Sequence, residues 1–74
     1  MEWFELELEV PHETAEAVSD ELFEMGAGGV TEDLNRITSV VTIKAYFPAK
    51  FGQKETLVKL ERYLGKNKTK IATR

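Results

Sequence analysis

The run Glu24-Met25-Gly26-Ala27-Gly28-Gly29-Val30-Thr31 constrains this chain more than any other stretch. Before it the apolar residues recur at helical spacing, and after it come β-type residues. Glycine tolerates the left-handed backbone that ends most helices, so Gly26 is predicted to cap a helix. Gly28 and Gly29 are predicted to let the chain turn sharply into a strand that begins near Val30. A phosphate-binding loop would need the reverse order, with a strand before the glycines and a helix after them, so that N–H groups at the helix start face the anion. Gly26-Ala27-Gly28 has only the first spacing of such a fingerprint, and the junction reads as a structural turn.

Upstream of the junction the pattern changes once. Glu2 to Val10 alternates strictly, with Phe4, Leu6, Leu8 and Val10 on one side and Trp3, Glu5, Glu7 and Glu9 on the other. A period of two marks a half-buried strand. Pro11 closes it, because proline cannot donate to a ladder. From Glu13 to Met25, Ala15, Val18, Leu22 and Met25 fall on one helical face, with Phe23 at its edge. Glu13 and Glu16 sit in the first turn, where they suit the positive end of the helix dipole.

Downstream, Val30 to Asp33 is predicted as a short strand, Leu34-Asn35-Arg36 as a turn, and Ile37 to Phe47 as a second long strand. Val41, Ile43, Ala45 and Phe47 suit a core, Thr42, Lys44 and Tyr46 suit water, and Val40 fits either side. Pro48 ends the strand. Gln53 to Leu64 is helical again, with Leu57, Leu60 and Leu64 as its stripe and Gly65 as its cap. Lys68 to Thr73 alternates and is predicted as a last strand. The order β-α-β-β-α-β favours a ferredoxin-like α+β sandwich: a four-stranded antiparallel sheet with both helices on one face and the first strand between the third and fourth. Residues 1–74 are predicted to form a single domain. The last strand reaches the chain end without a closing turn, which points to a piece of something longer.

Composition excludes several classes. A chain of 74 residues buries only about 60% of its unfolded surface, so its core is thin. The absence of cysteine rules out a disulfide framework, a thiolate zinc site and a cysteine nucleophile. No apolar run approaches the ~18 residues of a membrane span, and no signal peptide is recognisable, so a soluble, cytoplasmic protein is expected. Charge is divided unevenly: residues 1–35 carry 11 acidic side chains and no Lys or Arg, while residues 36–74 carry all 10 Lys and Arg against Glu55 and Glu61. The halves are expected to neutralise each other on folding. Glu5, Glu7 and Glu9 would lie beside Lys44 and Lys68 or Lys70 on the open face, at ~0.2–1 kcal/mol per cross-strand pair.

No catalytic, cofactor-binding or metal-ligating set emerges. His12 with Glu13 and Glu16 lacks a defined ligand pattern, Glu5, Glu7 and Glu9 form a solvated stripe and not a pocket pair, and Ser19 and Ser39 occupy no nucleophile elbow. Direct nucleic-acid binding is disfavoured: the basic-glycine-aromatic signature is missing and the glutamates would repel phosphate. What remains is docking. Trp3, Val40 and Tyr46 make a candidate apolar-aromatic protein-binding patch, with Glu5, Glu7 and Lys44 at its rim. The alternative is a regulatory module of the same fold that senses a small molecule bound at a dimer interface.

Several phrases also resemble a known family. Trp3-Phe4-Glu5-Leu6, Glu13-Thr14-Ala15-Glu16-Ala17-Val18-Ser19, Gly26-Ala27-Gly28-Gly29-Val30-Thr31-Glu32-Asp33 and Val41-Thr42-Ile43-Lys44-Ala45-Tyr46-Phe47-Pro48 look like the N-terminal domain of bacterial ribosomal protein methyltransferases that modify large-subunit protein eleven. The resemblance spans residues 3–64 and carries no catalytic motif. It implies a ferredoxin-like substrate-recognition domain whose partner is that ribosomal protein. It also implies a separate Rossmann-like domain that binds S-adenosylmethionine. No cofactor loop for that domain exists in these 74 residues, so neither cofactor binding nor methyl transfer is expected of them alone. Leu34-Asn35-Arg36 looks shorter than the corresponding loop of relatives.

Overall fold

The computed structural model describes residues 2–65 and 71–73. Four strands and two helices follow one another as β1 (Trp3–Pro11), α1 (His12–Glu24), β2 (Gly29–Asn35), β3 (Val40–Pro48), α2 (Gln53–Leu64) and β4 (Ile71–Thr73), with a 3-10 turn over Ala49–Phe51. The sheet runs β2-β3-β1-β4, with all neighbours antiparallel. Three long strands carry it, and β4 contributes three residues opposite Leu6, Glu7 and Leu8. Of the strand predicted over Lys68 to Thr73, Lys68 to Lys70 lie outside the described residues, and with them the pairs expected at Lys68 and Lys70.

The core follows the alternation. Phe4, Leu6, Leu8 and Val10 of β1 and Val41, Ile43, Ala45 and Phe47 of β3 are all buried on the sheet face that meets the helices. Ala15, Val18 and Leu22 of α1, with Leu60 and Leu64 of α2, close over them, and Met25, Ala27, Val30 and Ile71 pack at the margin. Phe4 and Phe47, directly opposite in register, stack with ring centroids 5.5 Å apart. The helices are tied to each other by the Tyr63 hydroxyl, which donates to the Ala17 carbonyl at 3.3 Å.

The turn between β2 and β3 corrects the sequence expectation. β2 continues through Leu34 and Asn35, and the turn is made by residues 36–39. The Asn35 side-chain carbonyl accepts from the Ile37 and Thr38 amides at 3.0 and 3.3 Å, a local bond that asparagine offers in place of a ladder. Ser39 takes a left-handed backbone with φ of 59°. Ile37, predicted to open the strand, stands 96% exposed on the turn. Its β-branched side chain suggested a strand, but the asparagine and the reversal it nucleates decided the register.

Two further differences concern the helices. Ser19 is buried on α1 and donates to the Glu32 carboxylate on β2 at 2.7 Å, so a residue read only as a poor nucleophile joins helix to edge strand. On α2 it is Thr56, and not Leu57, that is buried with Leu60 and Leu64. Its hydroxyl donates back to the Gly52 carbonyl at 2.8 Å, which satisfies it inside the fold.

Candidate functional site

The open face of the sheet is built by the residues that alternate away from the core. Register places Glu5 opposite Tyr46, Glu7 opposite Lys44 and Trp3 opposite Pro48. Across the other ladder, Gly29 stands opposite Tyr46 and Thr31 opposite Lys44. Five of the six residues predicted from sequence (Trp3, Glu5, Glu7, Lys44 and Tyr46) therefore share one half of the face. Val40 does not join them. It pairs with Pro11 and Asn35 at the far end of β3, six residues from Tyr46, or about 20 Å at ~3.3 Å per residue.

Trp3 is held in an unexpected way. Its side chain leaves β1, yet its six-membered ring lies against Gly28, just before β2, with β3 between the two strands. A Cβ built at Gly28 would sit 2.6 Å from Trp3 Cζ3. Gly28 also donates its amide to the Tyr46 carbonyl at 2.8 Å, which fixes the backbone under the ring. Trp3 remains 49% exposed and Tyr46 36%, so the corner they form is supported from below and open to solvent.

Gly26 has a comparable role on the other side of the junction. It takes φ of 110°, as expected of a helix cap, and a Cβ there would meet the Phe51 ring at 2.9 Å. The glycine cluster thus ends α1 and also receives two aromatic rings, one on each side. Spacing alone could reveal the cap. It could not reveal the rings, which arrive from distant parts of the chain.

Electrostatics on the open face are local. Lys44 Nζ lies 4.0 Å from the Glu7 carboxylate, at the limit of an ion pair, and both side chains are partly exposed. Such a pair contributes about 0–1 kcal/mol. The hydrogen bond between Tyr46 and Glu5 holds the Tyr46 phenol above its ordinary pKa. Desolvation and the negative charges of Glu5 and Glu7 push the same way. Glu5 thus lies at the rim beside the Tyr46 phenol.

Beside this corner, at the end of the sheet, Glu2, Pro48, Ala49 and Lys50 line an open recess of about 330 Å³. The Ala49 amide donates to the Glu2 carbonyl at 2.9 Å, pinning the exit of β3 to the start of β1. The Lys50 ammonium sits 5.6 Å from the Phe51 ring centroid, a cation–π distance. Sequence reasoning missed this recess because its residues come from two chain segments that only the β1–β3 register brings together.

Neither protein-family models nor curated proteins match this sequence. Solved structures do match its fold. CPII from Thiomonas intermedia K12, a nitrogen regulatory PII-like protein, superposes with a TM-score of 0.76 at 16% identity, over 97% of this chain and 86% of CPII. B. subtilis GlnK in complex with ATP gives 0.66 at 16% identity, over 97% and 79%. A formyltetrahydrofolate deformylase from Pseudomonas putida KT2440 gives 0.69 at 15% identity, over 99% of this chain but only 28% of the enzyme. At these identities the similarity establishes the fold: an α+β ferredoxin-like domain of the kind seen in PII-like proteins.

The same matches correct two expectations. They are regulators, some solved with nucleotides, and a deformylase, and no methyltransferase name is among them. The ribosomal protein expected as partner, and the methyltransferase class expected with it, are corrected by this set. Among the described residues no helix is long and apolar enough to cross a membrane.

Proposed function

We propose that this chain is a regulatory module of ferredoxin-like fold that responds to a small molecule by binding it, without chemistry of its own. The observation that carries the reading is the exposed aromatic corner at one end of the sheet. Trp3 and Tyr46 stand open to solvent there over a backbone fixed by the Gly28–Tyr46 hydrogen bond. Aromatic faces over rigid backbone suit a planar or apolar ligand, whose binding loses little to reorganisation. Support also comes from the fold shared along nearly the whole chain with CPII, a protein solved with ADP, AMP and bicarbonate.

Trp3 is the single tryptophan, so intrinsic fluorescence reports directly from the corner. Titration with ADP, AMP, ATP, bicarbonate and free amino acids is expected to give a saturable change with at least one of them, and Tyr46→Ala should weaken it. Light scattering during the titration would reveal a ligand-linked dimer. A flat signal with every compound would remove the proposal.

A second reading is that the chain is a protein-docking domain within a longer protein of more than one domain. It is favoured by the deformylase, in which this fold makes up 28% of the chain. In that case Trp3 and Tyr46 would face protein. The reading frame beyond Arg74 tests it, since a further folded domain is required there.

A further inference from the structure

We propose that the Trp3–Tyr46 corner holds a small guanidinium cation, stacked on the outward face of the Trp3 ring with its N–H groups toward the Tyr46 phenol and the Glu5 carboxylate. The proposal rests on the regulatory reading and names the ligand class for that same site.

The corner offers a platform. Trp3 starts on β1 and its ring reaches Gly28 at the entry to β2, with β3 between them. Neighbouring strands stand ~4.8 Å apart, so the gap is about 10 Å. A tryptophan side chain covers it only when laid along the sheet, which turns one ring face outward, and Trp3 is 49% exposed. Tyr46 lies two residues before Pro48, the partner of Trp3 in register, so it stands diagonally beside the ring on the same face. The Gly28–Tyr46 hydrogen bond holds the backbone beneath them.

Charge then selects the ligand. An indole face attracts cations more strongly than any other aromatic side chain. The Tyr46 phenol is hydrogen-bonded to Glu5, and the negative charges of Glu5 and Glu7 both act on it. These carboxylates bring negative potential to the corner, which repels phosphate and draws in cations. Lys44, 4.0 Å from Glu7, offsets part of that potential. A guanidinium is flat and weakly hydrated, so it stacks on an aromatic face while its edge donates to oxygen acceptors. An ammonium ion is a compact, strongly hydrated charge and gains less from the ring. The corner is open to water, so binding in the millimolar range is expected.

The test is an amide NMR titration of the whole chain with butylguanidinium, butylammonium and the uncharged isostere butylurea. Butylguanidinium should shift the Trp3 indole N–H and the Gly28 and Tyr46 amides saturably. Butylurea should bind about two- to fivefold more weakly, with butylammonium between the two. Glu5→Gln keeps an acceptor for Tyr46 and should narrow the gap between guanidinium and urea. Trp3→Leu, followed at the Gly28 and Tyr46 amides, should weaken butylguanidinium about two- to fivefold. Absence of a saturable shift at Trp3, or butylurea or butylammonium binding as tightly as butylguanidinium, would overturn the proposal. Should ADP, bicarbonate or a neutral amino acid shift the corner while butylguanidinium does nothing, the guanidinium assignment fails and the regulatory reading stands. Should an arginine-containing peptide bind more than about tenfold tighter than butylguanidinium, the corner grips protein and both fail. If no compound moves any amide, both fail.

Discussion

The ring of Trp3 occupies the volume in which a side chain at Gly28 would have to begin, with Cζ3 and Cη2 only 2.6 and 2.8 Å from a Cβ placed there. The contact crosses the sheet from β1 to the entry of β2, above the Gly28–Tyr46 hydrogen bond. It therefore sets both the orientation of the exposed tryptophan and the path of the chain leaving α1.

Gly28→Ala should displace the tryptophan. Overpacking of this kind costs about 1–3 kcal/mol. Urea unfolding followed by circular dichroism is expected to show a lower midpoint, and fluorescence a red-shifted native spectrum. In a Trp3→Ala background the same substitution should cost less than about 1 kcal/mol, because residues in contact are coupled. Equal costs in the two backgrounds would mean that the ring is not what Gly28 accommodates.

Ser19→Ala should remove the bond that ties α1 to β2. Ser19 is 7% exposed and donates to Glu32 at 2.7 Å, so about 1 kcal/mol is at stake. For a domain of this size that lowers Tm by about 4–8 °C, measurable by calorimetry. Glu32→Gln retains an acceptor oxygen and should lose less.

Tyr46 should ionise above the ordinary tyrosine value of 10.0, since its hydrogen bond to Glu5, desolvation and the nearby Glu5 and Glu7 charges all favour the neutral phenol. Ultraviolet titration of the phenolate checks this, and Glu5→Gln should lower the midpoint. The sign for stability follows. Above pH 10 the unfolded chain releases its phenolic proton before the folded one does, so this group's contribution is intact below pH 10 and is lost as pH rises through the folded pKa.

Phe47→Ala and Lys44→Ala separate core from surface. Phe47 is fully buried and stacked on Phe4, and its truncation should cost about 3–5 kcal/mol, enough to leave a domain this small largely unfolded. Lys44 meets Glu7 only at 4.0 Å and in partial solvent, so its loss should cost less than about 1 kcal/mol. Chemical denaturation of the two variants side by side measures the contrast.

Much of this architecture could be read from the chain because periodicity survives folding. The alternation of β1 and β3 placed every buried residue of those strands correctly, and the spacing of Ala15, Val18 and Leu22 marked the buried face of α1. The boundaries of α2 coincide with the predicted Gln53 to Leu64. The turn at residues 36–39 was misplaced because Ile37 has strand propensity, while the Asn35 side chain supplies competing local bonds. The patch was partly legible: alternation put Trp3, Tyr46 and Val40 on one face, but a face is long, and Val40 lies at its other end.

The amino-acid pattern on its own determined which residues of β1 and β3 are buried, the order of elements and the helix cap at Gly26, since each depends on neighbours within a few positions. The packed fold alone decided that Gly28 makes room for Trp3, that Ser19 reaches Glu32, and that Glu2 and Lys50 border one recess. Those contacts join segments far apart in the chain. Their existence depends on strand register and on side-chain reach across the sheet, and neither leaves a periodic trace in the residues themselves.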